Sequence, residues 1–447
     1  MGLLLGSGST KPQYPYDMWY GVQSDFTSND HKLTRVGNMD LHRTLPIQSR
    51  LRRFVENLDG SVKYYLHQND SRKKESGALA ILDSTDGNVM LEKPEYYFRS
   101  EIQGTKWIRA FSEYPLPGFV KMERKTIAPW YSTIGPDKAV SGSWLEWDGD
   151  NIARDENGIV KLKANAAQFR GGYGAGSAPK DGTYNSQLGM PRTAIDKAGA
   201  RNNCKNGTHI GAYRAYNEIA WLQRCEYASL NCQEEFNPAL TADGFRQGGI
   251  GLGPYFSGAE WNEWGGYTPF VPCGSTAILG NNSGVVSYIL KGLASGDKTI
   301  QINSYRGFEC PFDYLWMLAD DLLINHGSER SIAYVCEDPS KFTSHSDNSA
   351  SVPDGYIAIA DLSRQEGWIK QLTHSDKGYS FPESIGASAN TGACDYFWTP
   401  GSSGAGWYGA LLAAGAGDGA GTGFGYLSTA SRSSYSHATT GFRLCRF

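Results

Sequence analysis

The chain has 447 residues, and at roughly 150 per domain that is a prior of about three domains, or two with one of them large. Forty-two Lys and Arg against 46 Asp and Glu leave a net charge of −4, too balanced for nucleic-acid or polyanion binding driven by bulk charge. With 20% charged residues, 13% aromatics and 54 glycines, the composition is that of a well-cored globular chain, and disorder is excluded as the main state.

The opening Met1-Gly-Leu-Leu-Leu-Gly6 has no basic flank and no nearby Cys to lipidate, so neither a secretory signal nor a lipid anchor is expected. No apolar run approaches the ~18 residues of a membrane span, so no membrane insertion is expected. Basic residues outnumber acidic ones 27 to 23 up to Arg201, and the remainder has 15 against 23. All eight cysteines (Cys204, Cys225, Cys232, Cys273, Cys310, Cys336, Cys394, Cys445) follow that point and include no Cys-x-x-Cys. Zinc is therefore not expected. Buried free thiols are the favoured reading, with a disulfide framework as the alternative.

The first ninety or so residues read as short strands and turns. Phe54 to Leu66 alternates around Asp59-Gly60, a hairpin signal. Before it lie Arg50, Arg52 and Arg53, read as a solvated face or, more sharply, as a contact with a partner protein. A second hairpin is expected from Tyr96–Ile102 and Lys106–Phe111 around Gln103-Gly104, and Pro115, Pro117 and Gly118 mark a boundary. Arg170 to Pro179 is a loop by composition. Its glycines lack both a preceding strand and a closing Gly-Lys-Ser/Thr, so it is not a phosphate cradle.

From about Ala212 to Cys232, Trp221, Cys225, Ala228 and Cys232 recur at helical steps and predict the best helix of the chain, its two thiols filling core. A shorter helical piece is expected over Asp313–Ile324. From Gly401 to Thr440 the chain contains no Lys, Glu, Gln, Met or Asn. Its Tyr and Phe, and the strand-like Gly441-Phe-Arg-Leu-Cys-Arg-Phe447 that follows, argue for an ordered loop surface and against a free tether.

Catalytic signals are weak. The eight histidines (His31, His42, His67, His209, His326, His345, His374, His437) form no His-x-x-x-His pair, and no Gly-x-Ser-x-Gly occurs. Asp320-Asp321 reads as a helix cap or surface pair. Trp261-Asn-Glu-Trp264 offers a few oxygens to calcium but needs more from elsewhere, and no metal or cofactor is expected. Binding signals are stronger, because a Tyr/Ser/Gly surface has the chemistry of an antibody paratope. Tyr408, Asp418, Ser428, Arg432, Tyr435 and His437 are the expected solvent-facing ligand contacts, with Trp398, Trp407, Phe442 and Leu444 as their scaffold. Phe424 and Tyr426 are open between contact and core.

Cys225-Glu-Tyr-Ala-Ser229, Arg306-Gly-Phe-Glu-Cys-Pro-Phe-Asp-Tyr-Leu-Trp316 and Gly441-Phe-Arg-Leu-Cys445 resemble, in that order, three landmarks of the formylglycine-generating-enzyme branch of the C-type lectin fold. Here Cys225 replaces a Trp, and Met317-Leu318 replaces a Glu-Trp. The whole chain is still more similar to tail-tip proteins of bacterial viruses, through Gly37 to Arg50, Asp243 to Gly251, Pro269 to Gly274 and Tyr396 through Cys445. In that family the last segment is commonly diversified by a retroelement that mutates template adenines. The Gly401–Thr440 census fits such mutation except at Trp407, which would be an untouched scaffold position.

The resemblance implies an α+β fold: a small β-rich N-terminal attachment region over residues 1–90, then a large C-type-lectin-type domain with long loops over 91–447, its variable segment at 396–447. It implies a receptor-binding protein at a phage tail tip or tail fibre of the virion. Its partners would be a bacterial surface protein or glycan and, through the N-terminal region, other tail proteins, and the assembly would be a homotrimer. Ser431, Ser433 and Ser434 stand where the oxidases of this fold carry reactive cysteines, so copper–thiolate catalysis is not expected. The alternatives are an enzyme of the same fold and a cell-surface or pilus-tip adhesin.

Overall fold

Alternating apolar stretches become strands throughout the computed structural model, which describes residues 16–134, 138–156, 158, 160, 161, 163, 188–257, 271–290, 296–345, 347–401 and 404–447. The fold is a β-rich α+β arrangement. The Trp261–Trp264 segment, with its few oxygens for calcium, and the glycine-rich Arg170–Pro179 lie outside the described residues.

Both expected hairpins form. Arg52–Glu56 pairs with Val62–His67 across the Asp59-Gly60 turn, and Tyr96–Gln103 pairs with Lys106–Ser112. The first belongs to a seven-stranded sheet that runs from His209–Ile210 through Leu444–Arg446, Lys125–Ile127, Val89–Lys93 and Arg52–Glu56 to Val62–His67 and Asp70–Lys74. The second belongs to a five-stranded sheet with Tyr20–Asp25, Thr34–Gly37 and Val120–Met122. Both sheets draw strands from either side of residue 90, so backbone pairing is continuous across that position. Nor does the Pro115–Gly118 stretch end a unit, since Val120–Met122 returns to pair with Tyr96–Phe98.

Helix α1 is short (Met39–Thr44), α2 spans Lys197–Asn203 and α3 spans Tyr213–Tyr227. The expected helix is therefore α3, ending earlier than its apolar periodicity suggested because Ala228 takes a left-handed conformation at its C-cap. Every α3 side chain is buried, including Trp221 and Cys225, which face the main core. Ala212, at the N-cap, has no side-chain acceptor of its own. Asp321 supplies one from a distant strand, accepting hydrogen bonds from the Tyr213 and Arg214 amides at 2.6 and 3.1 Å.

That Asp corrects another expectation. Asp313–Ile324 is not helical: Trp316–His326 is a long strand, with a bulge between Ala319 and Leu323 where it pairs with Gly406–Leu412. Nearly every side chain of the strand is buried, and a run apolar on both faces looks alike in a covered strand and a buried helix. Asp320 and Asp321 are fully buried at the bulge and are not a surface pair. Asp320 is held by a two-pronged Arg201 guanidinium at 2.6 and 2.8 Å.

The basic cluster is split. Arg50 is exposed, and Arg52 lies over the Tyr65 ring. Arg53 is completely buried, bonding to Gly307, Ser71 and Thr276, with its guanidinium beside Trp130. All eight cysteines are free, and only Cys204 is not fully buried. The three landmark segments meet in space. Glu226 of the first is buried and accepts from Arg306 of the second at 2.6 and 2.9 Å. Arg443 of the third is buried and donates to the Glu309 and Cys310 carbonyls at 2.6 and 2.9 Å.

Candidate functional site

The C-terminal segment is threaded through the nine-stranded sheet. Tyr396–Trp398 lies parallel to Leu427–Ser428, which pairs with Leu411–Leu412. Gly406–Leu412 then pairs with the long Trp316–His326 strand, beside which Thr440–Gly441 also runs. Leu444–Arg446 leaves for the seven-stranded sheet, where it sits between His209–Ile210 and Lys125–Ile127. The expected scaffold residues Trp407, Phe442 and Leu444 are buried. Trp407 donates to the Ser349 carbonyl at 3.0 Å and packs against Tyr334 and His345.

Close backbone packing explains part of the glycine content. A Cβ built on Gly423 would come within 1.8 Å of Asp395 Oδ1 and 2.8 Å of Cys232 Sγ. Phe424 and Tyr426, open between contact and core, are both buried. Phe424 meets Tyr216 and Phe312, and Tyr426 meets Trp316 with ring centroids 5.0 Å apart.

The six expected contact positions divide. Asp418, Arg432, Tyr435 and His437 are partly exposed. Tyr408 and Ser428 are interior at 6% exposure each, which corrects their assignment as solvent-facing. Their strands lie inside the sheet. The Tyr408 ring meets His326 edge-on at 4.8 Å and lies under the Arg432 guanidinium, 3.7 Å from its centroid. Arg432 also donates to the Trp407 and Ala405 carbonyls at 2.7 and 3.1 Å, tying the 430–439 loop to the strand below. In that loop Tyr435 and His437 stack at an interplanar angle of 14°, and Ala430, Ser434 and Ser436 are exposed. Partial burial lowers the His437 pKa and raises that of Tyr435. Asp418 accepts the Gly415 amide at 2.8 Å, and burial pushes its carboxyl up to about 6.

Trp398 reverses its expected role. It is 39% exposed, not buried scaffold. Its indole Nε1 donates to the Tyr426 hydroxyl, and its ring lies 5.3 Å from Tyr396, which meets Trp368 at 5.7 Å. Trp316, Trp368 and Tyr396 are partly exposed, so these rings form an outward aromatic patch fixed from beneath by Tyr426. The alternation of Tyr396-Phe397-Trp398 carries a signal for half of it: a strand sends the first and third side chains to one face, and Phe397 is fully buried on the other. Trp368 has no such local signal, because pairing of Gly367-Trp368 with Tyr396-Phe397 brings it there.

Among the described residues, no group of three or more His, Cys, Asp or Glu side chains is placed to hold a metal. Burial raises the thiols of Cys394, to about 12, and of Cys445, which suppresses thiolate chemistry at either end of the segment.

No family model matches the chain, and no curated protein matches it. Among solved structures it is similar to the Major Tropism Determinant U1 Variant, at 11% identity over 92% of this chain and 88% of that chain, with a TM-score of 0.21.

Proposed function

We propose that this chain is a receptor-binding protein of a bacteriophage tail tip, attaching the virion to a bacterial surface protein or glycan. The observation that carries this reading is the build of the C-terminal segment: its two ends and its middle are strands of packed sheets, while the 430–439 loop and the ring of Trp398 face outward. A fixed frame with small and aromatic residues on its outer side is the arrangement of a recognition surface. Tyr and Trp supply contact area at low rotamer cost, and Ser and Gly fit around the target. The mechanism is non-covalent, and several copies per particle, as in a homotrimer, would multiply weak single-site affinity ~100–10,000-fold. The N-terminal region would hold the other tail proteins.

The C-type-lectin relationship and retroelement diversification belong to this proposal. A reverse-transcriptase gene beside a near-copy of the last coding segment, differing mainly at adenines, would support the second. For recognition itself, Trp398→Ala and Tyr435→Ala are each expected to weaken binding of the purified protein to host cells by ~1 kcal/mol or more, with the native far-ultraviolet dichroism retained. Unchanged cell binding by the double variant would reject this surface.

A further inference from the structure

A polar cleft lies away from the aromatic patch, where the Asn57–Ser61 turn, the 84–88 loop, Lys138–Val140, Lys205-Asn206 and the final strand come together. Its volume is about 300 Å³, the lower end of the range for small-molecule sites. The floor is locked. Glu56, 1% exposed, accepts Arg446 Nε at 2.8 Å and Asn88 Nδ2 at 2.9 Å, and Arg446 also donates to the Asn206 and Leu58 carbonyls.

The walls carry a charge surplus. Lys63, Lys138, Lys205 and Arg446 face two carboxylates, Glu56 and Asp86, and those two are already engaged by Arg446 and Lys63. Among the described residues, Lys138 and Lys205 have no ion-pair partner, although they come from different segments and line one cavity. Asn206 and Gly207, at φ of 54° and 72°, make the tight turn that brings Lys205 to the cleft, closed by the Thr208 amide donating to the Lys205 carbonyl at 3.0 Å.

We propose that this cleft binds a phosphate dianion, either free phosphate or a monoester carried on a single sugar ring. The excess of two positive charges matches a dianion, and the hydroxyls of Ser84 and Thr85 with the Asn206 amide suit the hydroxyls of a sugar. The site is independent of the proposed recognition surface: of its lining, only Arg446 lies in the C-terminal segment, and there it serves structure.

The probes are glucose 6-phosphate, inorganic phosphate, glucose and glucuronate, titrated calorimetrically into the full chain. Glucose 6-phosphate is expected to bind and glucose not. Inorganic phosphate competing at equal affinity would assign the site to free phosphate, and weaker competition to the sugar ester. Because the second ionisation of a phosphate monoester lies near pH ~6, the affinity for glucose 6-phosphate is expected to fall between pH 7.5 and 5.5. Lys138→Gln with Lys205→Gln is expected to weaken binding at least tenfold without moving the melting temperature, since neither side chain has an internal partner. Absence of binding by both phosphate probes, undiminished binding in the double variant, or glucuronate binding as tightly would each overturn the proposal.

Discussion

At the scale of single residues, buried ionisable groups dominate. Asp395 is fully buried, and despite Arg224 at 3.6 Å and the Gly425 amide, burial pushes its carboxyl up to about 7. Asp418 follows in the same direction, as does fully buried Asp313, also raised by the charge of Asp418. A carboxyl whose folded pKa is raised favours the folded state fully below its unfolded value, near ~4. That contribution is lost as pH rises through the folded value, with a slope of at most ~1.4 kcal/mol per pH unit per group. Urea midpoints should therefore decline from pH 5 to 7 more in the parent than in Asp395→Asn, which removes one of the titrating groups. Identical profiles would refute the assignment. A different loss is expected at Asp321, whose carboxylate caps α3 from across the fold. Asp321→Ala removes two charge-assisted hydrogen bonds at a buried helix end and should lower stability by ~2–4 kcal/mol in chemical denaturation.

At the scale of elements, legibility followed how local the determining forces are. The two hairpins and α3 could be read because turn residues and apolar periodicity lie within each element. The Trp316–His326 strand could not, since its apolar run covers both faces and its two Asp residues are satisfied by Arg201, Tyr213 and Arg214, remote in sequence. The same limit separates Tyr408 and Ser428, interior through sheet pairing, from Arg432, Tyr435 and His437 in the loop. Composition shows a paratope-like segment but not which of its strands becomes central. The 430–439 loop depends on Arg432, which spans two carbonyls and covers Tyr408. Arg432→Ala is expected to cost ~1 kcal/mol of stability and to open the loop to limited proteolysis between Ser433 and Ser436. A cleavage pattern unchanged from the parent would show that the loop holds itself. Lys at this position keeps the charge but loses the planar fork, so it should rescue only in part.

At the scale of the whole molecule, the last strand closes a sheet begun by residues near the start. One strand separates Leu444–Arg446 from Val89–Lys93 and two separate it from Arg52–Glu56, and Arg446 reaches Glu56 directly. The chain should therefore unfold without a separate N-terminal transition at residue 90, with far-ultraviolet dichroism and the emission of its twelve tryptophans coinciding. Two resolved transitions would restore an independent N-terminal unit. Leu444→Ala, emptying a fully buried site, should lower stability by ~2–5 kcal/mol and shift both probes together.

The tight approach at Gly423 bears on inheritance. A position where even one extra carbon would strike Asp395 and Cys232 tolerates no experiment by the genome. If the coding segment is rewritten from one generation to the next, survivors will carry their novelty on the rim, at Ser434 to His437, while the glycines beneath stay silent. The workable repertoire is then set by how many codons lie over open solvent, far fewer than the length of the segment suggests.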